Sequence, residues 1–242
     1  MDSDAFIDAR RKAYFAELIL DAVADGTDER EALKALCEAA GMTEAESRSL
    51  FDPWGGIIRA LCENGKLCHK VQEKKAYRLC PPFEPMAKSD AETELLRRYF
   101  THMGPATAKD AAYFFGTTQT KVRGILKQLP VTELSVAGRS FYRIGEALPS
   151  GDMPACVFLA GFDQLMLGYE KSESIFLPRE HMRDIFAAAG IVRPAILVNG
   201  SVAGWWQKRG RKLTLTVFEE KNKAPIFDAA SRFWTSMLID LK

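Results

Sequence analysis

Residues 195–218 constrain the fold more than any other stretch of this 242-residue chain. Asn199-Gly200 is a strong two-residue hairpin signal, because a type I′ turn needs positive φ at both central positions. Arg209-Gly210 marks a second reversal; a two-residue loop there would set Lys208 opposite Arg211 and Trp206 opposite Leu213. Alternation puts Leu213, Leu215 and Val217 on one face of the next strand and Thr214 and Thr216 on the other. Four of the five residues from Lys208 to Lys212 are cationic, although like charges facing each other across a hairpin repel. Two readings fit. The tip is either a solvated edge that resists aggregation or a finger seeking a phosphate backbone, with Trp205 and Trp206 behind it.

Net charge does not choose between them, since it is only +1. Its distribution says more. Lys and Arg number 12 against 16 Asp and Glu in residues 1–85, 9 against 6 in 86–150, and 12 against 10 in 151–242. The first third is acidic and the remainder mildly basic. No apolar run reaches the roughly 18 residues of a membrane span, and Met-Asp-Ser-Asp lacks the basic start of a signal peptide. Five cysteines without a Cys-x-x-Cys pair and three scattered histidines give no zinc pattern. The expectation is a cytoplasmic protein with reduced thiols, no metal and no cofactor.

Along the chain, helical spacing runs through residues 4–25. Asp28 with Glu31, and Thr43 with Glu46, read as capping boxes of the next two helices. Asp52-Pro53 reads as the start of a further helix to Asn64. Strands at 67–71 and 76–79 follow, then a stiff segment, Pro81-Pro82-Phe83-Glu84-Pro85. The order then repeats: a helix from Asp90 to His102, one capped by Thr107, a turn at Gly116, and a third helix capped by Thr117 or Thr118 and ending at Gln128. A hairpin follows, with strands 131–136 and 140–144 around Ala137-Gly138-Arg139. Helix, helix, turn, helix and hairpin make a helix-turn-helix with a wing. After a second linker at 145–154 come strands at 156–162, 195–198, 202–207 and 212–218, with a helix from Glu180 to Ala189. A last amphipathic helix carries Ile226, Phe227, Phe233, Trp234, Met237 and Leu238. The expected fold is α+β: winged units at 1–85 and 86–150, then a small antiparallel barrel-like domain with helices at 151–242.

In a helix-turn-helix the helix after the turn lies in the major groove. Here that helix exposes Gln119, Lys121, Arg123 and Lys127, and Gln and Arg suit adenine and guanine edges; a plain solvated face would carry similar residues. Arg139 sits in the wing. The matching helix of the first unit offers only Arg59 and is expected to pack against protein. No catalytic constellation emerges: there is no Gly-x-Ser-x-Gly, no phosphate loop and no histidine pair at ligand spacing. Asp163 reads as a turn-capping residue more readily than as a catalytic carboxylate.

Three segments, Phe-Leu-Ala-Gly-Phe-Asp-Gln-Leu-Met-Leu-Gly-Tyr (158–169), Gly-Ile-Val-Arg-Pro (190–194) and Ile-Leu-Val-Asn-Gly-Ser-Val-Ala-Gly-Trp (196–205), stand out. They resemble a bacterial winged-helix DNA-binding family that includes DNA glycosylases acting on alkylated bases and interstrand crosslinks. Residues 101–116 are similar to the third winged helix of that family. The resemblance implies three tandem winged helices and a barrel-like domain whose hairpin reaches DNA, with a catalytic Gln-x-Gln, Gln-x-Asp or Gln-x-Glu in the first winged helix. None of those triplets occurs here: the five glutamines lead to Lys74, Lys121, Pro130, Met166 and Arg209. On this reading the chain starts at the second winged helix and is not an enzyme by itself. It binds double-stranded DNA through the second winged unit and the finger Gln207, Lys208, Arg209, Arg211 and Lys212. Alternatives are part of a glycosylase completed by a separate N-terminal polypeptide, or a protein-interaction module.

Overall fold

The computed structural model describes residues 7–53, 55–146, 151 and 154–242. The first residues of the expected 4–25 helix and most of the 145–154 linker lie outside them. The chain divides into two compact units, residues 1–85 and 86–242.

In the first unit, α1 (Ala9–Ala24), α2 (Arg30–Ala39), α3 (Glu44–Leu50) and α4 (Gly56–Glu63) precede a hairpin of β1 (Leu67–His69) and β2 (Tyr77–Leu79). Phe15, Ile19, Leu33, Leu50, Ile57 and Leu67 are fully buried between them, and each such side chain contributes about 1.5–3 kcal/mol. Local chemistry fixes α3. Glu46 accepts from the Thr43 backbone N–H at 2.8 Å while Thr43 Oγ1 accepts from the Glu46 N–H at 3.2 Å. Two helix starts differ from expectation. Asp28 forms no capping box, because residues 28–30 pair as backbone with the segment leading into β2: Arg30 N–H donates to Lys75 O, and Tyr77 N–H to Asp28 O. The Asp28 carboxylate turns instead to Lys70. Past Asp52 and Pro53 the chain makes a further turn before α4 opens at Gly56.

The second unit opens with α5 (Lys88–His102), α6 (Ala108–Phe114) and α7 (Gln119–Leu126), followed by the hairpin β3 (Val131–Val136) and β4 (Arg139–Ile144). Phe100, Ala111 and Val122 form its dry centre. Thr107 and Asp110 make a reciprocal cap on α6, and Thr118 caps α7 by accepting from the Lys121 N–H. Ala137 and Gly138 both take positive φ, so Arg139 stands opposite Val136 as the first residue of β4 and not in the turn.

A five-stranded sheet completes the unit, ordered β5 (Cys156–Phe158), β6 (Ala195–Val198), β7 (Ser201–Arg209), β8 (Lys212–Val217), β9 (Leu238–Leu241). Short helices α8 (Gln164–Leu167) and α9 (Met182–Ile185) pack one face and α10 (Lys223–Phe233) the other. The expected antiparallel, barrel-like domain takes the form of an open sheet that is not antiparallel throughout. β5 and β9 are the edges of an open sheet, and β9 runs parallel to β8.

That fifth strand also corrects the last helix, which stops at Phe233. Ile239 and Leu241 gain more as strand residues beside buried Leu213 and Leu215 than as the end of a solvated helix. The expected helix over 180–189 is likewise cut short. Ala187 N–H donates to Ile191 O across a tight turn with Ala189 and Gly190 at positive φ, and Arg193 caps the end of α9. β5 ends at Phe158 because the chain then bends through Phe162, at φ 59°.

The helical and sheet parts of this unit are bolted together by residues 168–173. Tyr99 Oη donates to Gly168 O at 2.6 Å and Tyr169 Oη to Met103 O at 2.7 Å. The Glu170 N–H donates to Asp110 Oδ1 at 2.9 Å, which leaves that buried carboxylate satisfied on both oxygens.

Candidate nucleic-acid interface

The finger is the β7–β8 hairpin; its loop lies one residue beyond the expected one, which shifts the pairing by two. Arg209 pairs with Lys212, Lys208 with Leu213, and Trp206 with Leu215, so the two-residue loop is Gly210-Arg211. Gly210, at φ 55°, occupies the first central position, where only glycine is unstrained. The preceding hairpin does follow expectation: Asn199 and Gly200 both take positive φ between paired Val198 and Ser201.

A bulge sets which way the finger's side chains point. Opposite β7, Ile196 pairs with Gly204 and Leu197 with Val202, which leaves Ala203 as the surplus residue. Val202 and Trp205 therefore serve the α8–α9 layer, while Ala203 and Trp206 serve the α10 layer. Gly204 accompanies the bulge: a Cβ there would lie 2.3 Å from Thr216 O. Beyond it, alternation puts Trp205, Gln207 and Arg209 on one face together with their partners Thr216, Thr214 and Lys212. Trp206 is locked on the other face, its Nε1–H donating to Leu159 O at 2.8 Å beside Trp234.

The cations are not all equally available. Lys208, Arg209, Gly210, Arg211 and Lys212 are exposed. The Gln207 amide, with its oxygen toward the guanidinium, accepts from Arg209 Nε at 3.0 Å and Nη2 at 3.1 Å. Lys212 pairs with Asp240 of β9 at 3.1 Å. Sequence reasoning missed this counter-charge because it read residues 233–238 as helix; the alternation Leu238-Ile239-Asp240-Leu241 was the available signal.

On α7, Gln119, Arg123 and Lys127 recur every four residues, and Gln119 Oε1 accepts from Arg123 Nη2 at 3.0 Å. Lys121 is drawn back to α5 by Glu92 at 2.7 Å, which holds that carboxyl below its usual range. In the β3–β4 hairpin, Arg139 pairs with Glu173 at 3.5 Å and lies over the Phe141 ring. Among the described residues, Arg123, Lys127, Lys208, Arg209 and Arg211 thus have no carboxylate partner.

Two further features escaped the sequence reading. Arg193 stacks on Trp205, its guanidinium 4.7 Å from the ring centre, and donates to Asp184 O at 2.8 Å. Phe162 holds a left-handed backbone with its side chain 52 % exposed; for a bulky residue that conformation costs on the order of 1–3 kcal/mol. Next to it, Asp163 Oδ1 accepts from the Leu165 N–H at 2.9 Å and starts α8. Among the described residues no group of three His, Cys, Asp or Glu side chains is placed to hold a metal, and no helix is long and apolar enough to cross a membrane.

A model of the family described as DNA glycosylase AlkZ-like matches residues 4–233. The interstrand DNA cross-link repair glycosylase of Streptomyces sahachiroi is 25 % identical over 190 residues, which cover 72 % of this chain and 51 % of that protein. The chain therefore spans about half the length of the curated relative it matches. That alignment gives no support for a separately encoded N-terminal partner. The solved structure of the Streptomyces sahachiroi DNA glycosylase AlkZ superposes with a TM-score of 0.71 at 21 % identity, over all of this chain and 74 % of its own. With the model matched over nearly its whole length, the chain belongs to the AlkZ-like DNA glycosylase family.

Proposed function

We propose that the protein binds damaged duplex DNA through its second unit and acts in the removal of alkylated or crosslinked bases. The observation that carries this reading is the finger at residues 207–212, whose Lys208, Arg209 and Arg211 are exposed with no carboxylate partner among the described residues. An exposed row of like charges is costly to a fold and favourable beside a polyanion, because each phosphate it neutralises releases a condensed counterion.

In this reading residues 86–150 form a winged helix-turn-helix that lays the Gln119–Arg123–Lys127 stripe of α7 toward the groove, with Arg139 at the wing. Residues 151–242 form the finger-bearing domain and 1–85 a second winged unit that packs against protein. Lys121, Arg139 and Lys212 join the contact only by exchanging Glu92, Glu173 and Asp240 for phosphate. Four to six phosphate contacts give a slope of log K against log salt of about −4 to −5. A duplex titration between low and moderate salt tests this; no binding at low salt would leave the protein-interaction reading in its place.

The family favours a second statement, that the chain takes part in glycosidic bond cleavage. Base excision needs the base extruded beside a group that activates water. No Gln-x-Gln, Gln-x-Asp or Gln-x-Glu is present to do so, and Asp163 is occupied as a helix cap. Incubating the protein with alkylated and with crosslinked duplex, then measuring abasic sites, decides whether this chain cleaves or only holds DNA.

A further inference from the structure

We propose that Phe162 is an aromatic wedge that enters the base stack of bound duplex, with Arg193 beside it closing on the backbone; this rests on the duplex-binding reading above. Three observations converge on it. The first is strain without return: Phe162 sits at φ 59° on a turn where Gly or Asn would be relaxed, yet its ring remains 52 % exposed and so gives little to the core. The second is rigid seating. The Phe162 N–H donates to Val192 O at 3.2 Å, and a Cβ on Gly161 would lie 3.3 Å from the same oxygen and 3.7 Å from Pro194 Cγ. The turn is thus held against residues 192–194 and presents the ring from a fixed base.

The third is charge continuity. Arg193, the residue after Phe162's backbone partner, lies over Trp205 and has no carboxylate partner among the described residues. From Trp205 the same strand face runs through Gln207 to Arg209 and Lys212, about 13 Å at 3.3 Å per residue. A single track of planar and cationic groups therefore leads from the finger to the turn carrying Phe162. Cations track a backbone, whereas an exposed apolar ring at the end of the track suits an unstacked base step. Lesion-handling proteins need such unstacking, and it costs least where pairing is already weakened.

The test uses the full chain and a duplex carrying 2-aminopurine at a central mismatch, whose fluorescence rises when the base unstacks. Wild type is expected to raise that fluorescence severalfold on binding. Phe162→Gly should keep duplex affinity within about threefold, since the finger supplies it, but lose most of the rise; Phe162→Trp should retain it. Phe162→Gly should also melt no lower than wild type, because glycine relaxes the backbone. Wild-type binding without a fluorescence rise, or an undiminished rise with Phe162→Gly, overturns the wedge and leaves duplex binding standing. A melting temperature lowered by several degrees in Phe162→Gly also overturns it, by showing that the ring serves the core. No binding by wild type removes the duplex reading first and the wedge with it.

Discussion

The first unit and the opening of the second share nearly the same order of elements, and the two units differ in where their exposed cations gather. In the first, Arg11 is held on Glu46 at 2.5 Å, Arg59 on Glu63 at 2.7 Å, Lys74 on Glu29 at 3.2 Å and Lys70 on Asp28. In the second, Arg123, Lys127 and three cations of the finger face solvent with no carboxylate partner among the described residues. Cations answered by their own chain add modestly to stability and little to the outer field. Unanswered cations on a hairpin tip and a helix stripe do the reverse. On the function proposed above, location of charge, and not its sum of +1, separates a surface built to stay folded from one built to meet an anion.

The comparison breaks most decisively at the finger. Replacing Lys208, Arg209, Arg211 and Lys212 together with Ala should weaken duplex binding on the order of a hundredfold near physiological salt and flatten the salt slope by about 3. Fluorescence anisotropy across a salt series reads both. Unchanged binding would remove the finger from the interface. A smaller effect in the opposite direction tests the one answered charge there: Asp240→Asn should tighten binding by up to about fivefold, since an exposed pair of this kind is worth ~0–1 kcal/mol.

Acid should weaken the first unit at one identifiable carboxylate. The hydrogen bonds from Arg11 and then Thr43 hold the Glu46 carboxyl at about 2, against an ordinary 4.5. Its contribution is complete above the ordinary value and is lost as pH falls from there through about 2. Hydrogen exchange followed by mass spectrometry should show α1 and α3 losing protection over that window, and Glu46→Gln should remove the dependence. The smallest expected effect is none: Arg59→Ala should leave duplex affinity within about twofold, because its charge is already spent on Glu63. A tenfold loss would bring the first unit into the interface.

What the sequence disclosed was whatever is decided locally. Thr43 with Glu46 and the Asn199-Gly200 turn act within four residues, and both stand where the residues put them. The failures came where a distant partner decides. Phe233, Trp234, Met237 and Leu238 keep helical spacing, but pairing with β8 captures the last of them as strand. Asp28 is a competent cap until residues 75–77 claim its neighbours' backbone. At the finger the composition was legible and the register was not, since moving the loop by one residue shifts the pairing by two and leaves every side chain on the same face, so the alternation of Leu213 and Leu215 fits either register. Arg193 and Phe162 stand in two of the family-like segments but carry no pattern that assigns a role; the roles proposed for them come from a fold-back that brings residue 162 beside 192.

The surplus residue at Ala203 has a consequence for how this hairpin tolerates change. A strand is a two-state counter, and one inserted unit reverses the parity of everything downstream. Deleting Ala203 would leave net charge and every charged residue in place while exchanging the addresses of Trp205 and Trp206. Arg193 would lose its platform, and Gln207 and Arg209 would swap sides with Lys208. Length variation in this hairpin is thus safe only in steps of two.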